Sequence, residues 1–159
     1  MKVYSNTTPF IALCSVDLLH LLPALFGQVN VARSVAQECH EGGRILVPNL
    51  DSLPWVNVQD VSSSRQLPAL FELDRGERDT LLLAAQQPGS LVLMDERLGR
   101  NMAEYMGLGV TGTLGVLAKA KSLGRIPSFV QAATAMRTEG IYFSEGLVNR
   151  IATRLGELN

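Results

Sequence analysis

The sequence predicts an α/β fold with a short, mostly parallel sheet. Short runs of β-forming residues alternate with helix-like segments along the chain, and turn signals such as Pro88-Gly89 separate them. The run Ser90–Met94 is apolar nearly throughout, which is typical of a parallel strand covered on both faces. Strands that alternate with helices favour a parallel sheet, because each parallel strand needs a crossover connection.

The chain opens with a predicted strand at Lys2–Ser5, followed by a polar turn and an apolar helix. We expect Thr7 or Thr8 to cap this helix. Pro9 then lies in the first turn, where a missing N–H costs nothing. In an open parallel sheet, the first turn after a strand lies at the edge where such folds bind ligands. The polar turn is therefore a candidate for a functional role.

The apolar run that follows extends to Gly27 and predicts two helical pieces. We expect Asp17 to cap the second piece, and Pro23 to kink or end it. The next predicted elements are a strand at Val29–Ala32, a helix at Arg33–His40 that ends before Gly42-Gly43, and a strand at Trp55–Val61.

Residues 44–68 carry the weakest pattern in the chain. They contain Pro48, Pro54, Pro68 and the run Ser62–Ser64, which indicate loops. The remaining elements have clear signals. We expect helices at Asp74–Gln87, Asp95–Met106, Gly112–Leu123, Pro127–Thr138 and Ser144–Leu158, with strands at Ser90–Met94 and around Val110.

Composition limits the class of protein. A chain of 159 residues with 47% hydrophobic and 18% charged residues predicts one globular domain over residues 1–159. A net charge of −1 does not indicate nucleic-acid binding by bulk electrostatics. We find neither a membrane span nor a leader pattern, and expect a cytoplasmic protein. The spacing Gly107-x-Gly109-x-x-Gly112 matches a dinucleotide motif, but a predicted helix rather than a strand precedes it.

Four polar residues recur after predicted strands or at the starts of helices. They are Asn6, Glu38, Glu77 and Asp95. Each one alone is adequately explained as a helix cap or a solvated side chain. Together they would place several carboxylates at one edge of the sheet. Such a group repels itself unless a cation binds, and oxygen ligands suit Mg²⁺ or Mn²⁺.

Three blocks of this sequence resemble the PIN-domain family, a fold of metal-dependent nucleases. The resemblance covers nearly the whole chain and is weakest over residues 44–68. The blocks read Ser5-Asn-Thr-Thr-Pro-Phe-Ile-Ala-Leu13, then Leu73-Asp-Arg-Gly-Glu77, then Leu93-Met-Asp-Glu-Arg97 running on to Val110-Thr-Gly-Thr-Leu-Gly-Val-Leu-Ala-Lys-Ala-Lys121. The resemblance implies a three-layer α/β/α sandwich with a short, mostly parallel sheet.

The resemblance also implies roles for individual residues. Glu38, Glu77 and Asp95 would be catalytic and, with Asn6, would hold Mg²⁺ or Mn²⁺; Asp79 is a substitute for Glu77. The family usually has Asp at the first of these positions, whereas this chain has Asn6. The residues expected to position the phosphate groups of the substrate are Thr7, Arg97, Arg100 and Thr113.

The activity implied by the resemblance is cleavage of RNA. The implied partners are an RNA substrate and a small antitoxin, in a toxin–antitoxin pair, and the apolar segment Phe10–Phe26 is expected to have surface for a homodimer. Two alternatives stay open at this point. One is a PIN-like module for RNA or protein binding that has lost catalysis, which Asn6 favours. The other is an unrelated small-molecule enzyme on a doubly wound sheet.

Overall fold

A five-stranded parallel sheet forms the middle layer of the fold in the computed structural model, which describes residues 1–61 and 70–158. The strand order is β3-β2-β1-β4-β5. The strands are β1 (Val3–Ser5), β2 (Val29–Ala32), β3 (Val56–Gln59), β4 (Leu91–Leu93) and β5 (Gly109–Thr111). Helices cover both faces of this sheet, so the predicted three-layer α/β/α class is confirmed.

Eight helices occupy the described part of the chain. They are α1 (Thr7–Ser15), α2 (Leu21–Phe26), α3 (Arg33–Glu41), α4 (Arg75–Ala85), α5 (Arg97–Tyr105), α6 (Thr113–Ser122), α7 (Phe129–Thr138) and α8 (Glu145–Arg154), with a short 3₁₀ turn at Leu50–Ser52. Helix α4 packs against β1, β2 and β4, while α1 packs against α3 and α6. The predicted loop residues Ser62–Ser64 and Pro68 lie outside the described residues.

The break between α1 and α2 differs from the prediction. Asp17 does not cap α2, because the cap position is His20; Asp17 lies between the two helices in a left-handed backbone conformation (φ 59°). Pro23 neither kinks nor ends α2. It is the third residue of that helix, where its missing N–H would have no partner within the helix. Helix α2 ends instead at Gly27, whose φ of 76° suits glycine.

Two helix starts also lie elsewhere than predicted. Asn6, not Thr7 or Thr8, is the cap position of α1, and its side chain makes no capping bond. Helix α5 begins at Arg97 and not at Asp95, so both acids of the pair Asp95-Glu96 precede the helix. The caps of α4 and α8 are Asp74 and Ser144, whose side chains accept hydrogen bonds from the N–H groups of Glu77 and Leu147.

The apolar core lies on both sides of the central strand β1. Tyr4, Phe10, Leu93 and Phe129 are among its largest fully buried side chains. Much of the segment Phe10–Phe26 belongs to this core. Its buried members are Phe10, Ala12, Leu13, Leu21 and Leu22. That segment therefore offers less exposed apolar surface than expected. Among the described helices, none is long and apolar enough to cross a bilayer.

Glu157 ties the end of the described chain to helix α7. Its carboxylate accepts hydrogen bonds from Ser128 Oγ (2.7 Å), from the N–H of Phe129 (2.6 Å) and from the N–H of Val130 (3.0 Å). Lys121 Nζ lies 3.9 Å from the same carboxylate. Burial alone would raise the pKa of Glu157, but these hydrogen bonds outweigh it and lower the pKa below its ordinary value. The carboxylate thus provides acceptors for N–H groups that have no partner within α7, and its charge interacts favourably with the positive end of the helix dipole.

Candidate functional site

The candidate site lies where the strand order reverses, between β1 and β4. Both strands run in the same direction, and their registers pair Ser5 with Leu93. The N–H of Asn6 continues the ladder by donating to the carbonyl of Leu93 (3.0 Å). Such a reversal point at the carboxyl ends of parallel strands is the usual ligand crevice of an open α/β sheet. The residues after β1 and β4 therefore meet at this edge.

The turn Asn6-Thr7-Thr8 holds two carboxylates. Thr7 Oγ1 donates to Glu38 Oε2 at 2.8 Å. Asn6 Nδ2 donates to Glu96 Oε2 at 3.0 Å, and Thr8 Oγ1 donates to Glu96 Oε1 at 2.5 Å. Asn6 makes no capping bond to α1, and the three side chains instead donate to acids from α3 and from the segment after β4. Three consecutive residues, the cap and the first two residues of α1, thus hold Glu38 and Glu96.

Gly76 leaves room for the carboxylate of Glu38 against the first turn of α4. A Cβ atom at position 76 would lie 2.6 Å from Glu38 Oε1 and 3.3 Å from Asn6 Oδ1. Both oxygen atoms therefore face the same small space beside the helix backbone. Burial raises the pKa of Glu38, and the hydrogen bonds from Thr7 and from the backbone of Gly76 oppose that rise. The negative charges of Asp74 and Glu96 raise this pKa further.

Glu77 extends the acidic group from the same turn of α4. Its side chain is 6% exposed, whereas Asp74, the cap of the helix, is exposed. Burial, together with the charges of Asp74 and Glu96, raises the pKa of Glu77 to about 7. A carboxyl group with this pKa is close to half protonated at neutral pH. We define the acidic cluster as Glu38, Asp74, Glu77 and Glu96, since these four interact electrostatically.

Both carboxylate oxygens of Asp95 are bonded to the start of helix α6. Its Oδ1 accepts from the N–H of Thr113 (2.7 Å) and its Oδ2 from Thr113 Oγ1 (2.6 Å). Burial raises the pKa of Asp95, while the bonds from Thr113 and the nearby charge of Arg100 oppose the rise. Gly112 permits this contact, because a Cβ there would lie 2.6 Å from Asp95 Oδ1. Asp95 thus anchors the start of α6 beside the acidic cluster.

A family model described as a PIN domain matches residues 2–157. The chain belongs to the PIN-domain family. No curated protein and no solved structure matches the chain significantly. Membership gives this PIN domain a nuclease-type fold, and PIN domains generally depend on divalent metal ions.

The candidate metal ligands of this PIN domain are oxygen atoms, the type that a hard divalent cation prefers. All the cluster's side-chain donors are carboxylate oxygens, and Asn6 Oδ1 adds an amide oxygen near Glu38 Oε1. Such ligands suit Mg²⁺ and Mn²⁺. The ligands are not gathered around one point. Within residues 1–61 and 70–158, no group of three or more His, Cys, Asp or Glu side chains is arranged to hold a metal ion.

The structure brings Asn6, Glu38 and Glu77 to one edge of the sheet. It turns the side chain of Asp95, the fourth expected ligand, toward Thr113 instead. Asp79 accepts a hydrogen bond from Ser34 Oγ (2.6 Å) and pairs with Arg75, so it does not replace Glu77 beside the other acids. The roles of these residues in metal binding stay predictions.

The residues expected to contact phosphate groups differ in accessibility. Arg97 is exposed at the start of α5, and Arg100 is half-buried with one N–H donated to the carbonyl of Met94 (3.0 Å). Thr7 and Thr113 are buried, and their hydroxyl groups are bonded to Glu38 and Asp95. The two threonines therefore position acids in this structure, while Arg97 is open to a substrate.

Glu96 and Asp74 belong to the site although the sequence pattern assigned neither of them a role. The predicted helix began at Asp95 and placed Glu96 inside it. The backbone is instead extended at Glu96 (φ −70°, ψ 131°), and successive side chains of an extended segment point in opposite directions. Hence Asp95 and Glu96 face different neighbours. The adjacent acids after an apolar strand were the signal that two carboxylates reach this edge.

Proposed function

We propose that this PIN-domain protein cleaves phosphodiester bonds in RNA, using Mg²⁺ or Mn²⁺ held by Asn6, Glu38, Glu77 and Glu96. The observation that carries the proposal is the pair of carboxylates fixed by the turn after β1. The charges of Asp74 and Glu96 raise the pKa of both Glu38 and Glu77, and a cation bound among these acids would relieve that repulsion. Among ion pairs of the described residues, none involves a member of the acidic cluster.

The chain's own residues orient the ligands. Thr7 holds Oε2 of Glu38, so Oε1 is left facing the space shared with Asn6 Oδ1. Asn6 and Thr8 hold the two oxygens of Glu96. A divalent cation at such a site supplies a water of lowered pKa and stabilises negative charge on a phosphate. The fixed turn lowers the entropic cost of assembling that site.

Asp95 takes a different role in this proposal from the one expected of it. We assign the ligand position beside Asn6 to Glu96, and treat Asp95 as a positioning residue that holds α6 through Thr113. Arg97 and Arg100 follow on the next helix and supply positive charge for the phosphate groups of RNA. From the resemblance of its sequence blocks to the PIN-domain family, we also propose a small antitoxin partner and a homodimer.

A second candidate function is RNA or protein binding without cleavage. Two observations favour it. Asn6 contributes no charge to the site, and no ready-made group of three acidic, His or Cys ligands occurs within the described ranges. In a module of this kind the acidic cluster would suit a basic segment of a partner protein, and RNA would need the arginines of α5 or a bound cation.

RNA degradation across a Mn²⁺ titration tests the proposal. The substrate is a pool of single-stranded and structured RNA, and the proteins are wild type, Glu38→Gln, Glu96→Gln and Asp95→Asn. We expect wild type to cut only with metal and the two glutamine variants to lose at least about a hundredfold in rate, since a hydrolytic metal site depends on anionic ligands. Asp95→Asn should retain more activity than Glu96→Gln.

The control variant is Glu104→Gln, which removes an exposed glutamate from α5. It should cut like wild type. Cleavage by Glu38→Gln and Glu96→Gln at the wild-type rate would overturn the metal-nuclease proposal. RNA binding without cleavage at every Mn²⁺ concentration would support the binding module instead.

A further inference from the structure

A cavity of about 450 Å³ adjoins the acidic cluster. It shares Thr8 and Asp95 with the candidate site, so the two are continuous. The opposite wall is largely apolar and comes from the segment after α7 and from the first turn of α8. Ile141, Phe143 and Leu147 contribute side chains there.

The volume of the cavity suits one nucleoside. Small-molecule sites typically occupy about 300–1,000 Å³, and this volume lies at the lower end of that range. Tyr142 lines the cavity and is 82% exposed. An exposed aromatic ring beside an apolar cavity provides a surface on which a nucleobase stacks, and such stacking tolerates any base.

The polar groups of the cavity favour a neutral ring over an anion. Asp95 is the only acid among the lining residues in the described part of the chain, and both its oxygens accept hydrogen bonds from Thr113. Arg100 and Ser144 add donors at the wall. Arg100 is the one cationic residue among the described lining residues, and it lies at the edge shared with Asp95, whereas the rest of the wall offers a base apolar contact and hydrogen-bonding groups.

We propose that this cavity is a nucleobase subsite, which takes one base of a single-stranded nucleic acid next to the acidic cluster, with the ring of Tyr142 stacked on it. The inference rests on the proposed function, because it specifies how the same site holds its substrate. Single-stranded nucleic acid is the class required, since a base within a duplex is not free to enter a cavity.

The test uses free nucleosides, which carry no phosphate and need no metal. The ¹⁵N-labelled full chain is titrated with adenosine and cytidine in a chelating buffer, with ribose as the control ligand. We expect amide shifts for residues 111–115 and 141–147 with either nucleoside and none with ribose. Absence of such shifts at millimolar nucleoside, or equal shifts with ribose, would overturn the subsite.

Two variant pairs locate the binding. Leu147→Trp fills the cavity and should abolish the shifts, whereas Leu123→Trp places the same ring at an exposed leucine outside it. Tyr142→Ala should weaken nucleoside binding roughly tenfold, while Tyr105→Ala, at another exposed tyrosine, should leave it unchanged. Binding that survives both Leu147→Trp and Tyr142→Ala would refute the assignment. Nucleoside binding by a protein that cuts no RNA would defeat the proposed cleavage alone.

Discussion

Asn6 places an amide, and not a second carboxylate, opposite Glu96. Its Nδ2 donates to Glu96 Oε2 at 3.0 Å, and its Oδ1 lies near Glu38 Oε1. The amide therefore offers a donor to one acid and an oxygen toward another. An aspartate at this position would repel Glu96 in the absence of a cation. At the residue scale, Glu96 supplies the negative charge that an aspartate at position 6 would have contributed.

A double-mutant cycle between positions 6 and 96 tests this pairing. In chelating buffer, Asn6→Asp should lower the free energy of unfolding by about 1–3 kcal/mol, because repulsion replaces a part-buried hydrogen bond. The double variant Asn6→Asp/Glu96→Gln restores a donor opposite an acceptor. It should recover at least about 1 kcal/mol of the loss, as measured by urea denaturation. Additive effects would mean that the two side chains are not coupled.

Glu77 predicts a pH dependence of stability in metal-free protein. Its pKa is about 7 in the folded protein and near the ordinary glutamate value of 4.5 when unfolded. The folded state therefore binds the proton more tightly, and stability falls as pH rises from about 4.5 through 7. Glu77→Gln should remove this fall. At pH 8 the variant should exceed wild type by roughly 1–2 kcal/mol, less than the full shift because water screens the charges.

The comparison at pH 4 serves as the control for Glu77. Position 77 of wild type is then largely protonated in both the folded and the unfolded state, so the two proteins should have nearly equal free energies of unfolding in chelating buffer. A wild-type protein whose stability rises between pH 4 and pH 8 relative to Glu77→Gln would contradict the raised pKa.

The sequence predicted part of this site and missed the rest for a geometric reason. Asn6, Glu38 and Glu77 could be placed from the strand ends and the helix starts. The choice between Asp95 and Glu96 depends on the residue where α5 begins, and a two-residue error in that boundary exchanges the directions of the two side chains. No local pattern shows that Thr113, eighteen positions later, occupies both oxygens of Asp95.

At the scale of the element, the first turn of α4 depends on a glycine for contact with Glu38. Gly76 occupies the second position of this helix, and its φ is not in the left-handed region. Its importance therefore comes from space and not from backbone freedom. Alanine would suit the helix, but its Cβ would displace the carboxylate of Glu38.

Gly76→Ala and Gly146→Ala form a matched pair of variants. Gly146 is also the second residue of its helix, α8, and a Cβ there would have only ordinary contacts at 3.7 Å or more. Gly146→Ala should raise the free energy of unfolding by up to about 1 kcal/mol. Gly76→Ala should show no such gain and should lose the stabilisation by Mn²⁺, as measured by thermal denaturation. Equal gains in both variants would show that Glu38 moves aside at no cost.

Helix α7 gives a second prediction at this scale, through its bond to Glu157. Replacing this carboxylate by an amide in Glu157→Gln should lower the free energy of unfolding at pH 7 by about 1–2 kcal/mol, because charge-assisted bonds to a helix start are strong. The lowered pKa means that this stabilisation is present above the ordinary glutamate pKa and is lost as pH falls through the folded-state value. Urea denaturation at pH 7 and pH 3 measures it.

Glu104→Gln is the control for the α7 prediction, since that exposed glutamate lies on α5 away from a helix start. It should change stability by less than about 0.5 kcal/mol at either pH. A Glu157→Gln variant as stable as Glu104→Gln at pH 7 would show that the bonds to α7 contribute nothing measurable.

At the scale of the whole molecule, alternation of strands and helices was enough to predict the sheet and its two covering layers. The predicted elements recur in chain order with boundary shifts of a few residues. Residues such as Asp17 and Pro23 were misjudged because tertiary packing sets where α1 ends and α2 begins. Local sequence patterns do not predict the order of the strands in the sheet, since that order depends on which crossover connections bury the most apolar surface.

A cation that binds only the folded molecule should stabilise it as a whole. At a Mn²⁺ concentration about a hundred times the dissociation constant, mass action adds about 2.7 kcal/mol, which corresponds to a rise in Tm of roughly 5–10 °C for a chain of this size. Mg²⁺ should act in the same direction. The variant Glu38→Gln/Glu96→Gln should lose the response, whereas Glu104→Gln should keep it. A Tm that does not change with millimolar Mn²⁺ would count against the metal site.

The central position of β1 has a consequence for synthesis on the ribosome. This strand pairs on one side with β2 and on the other with β4, which is translated much later. Until Leu91–Leu93 emerges, β1 has an open edge, and the apolar residues that cover it have no complete core to join. The growing polypeptide should therefore remain a substrate for holding chaperones through more than half of its translation.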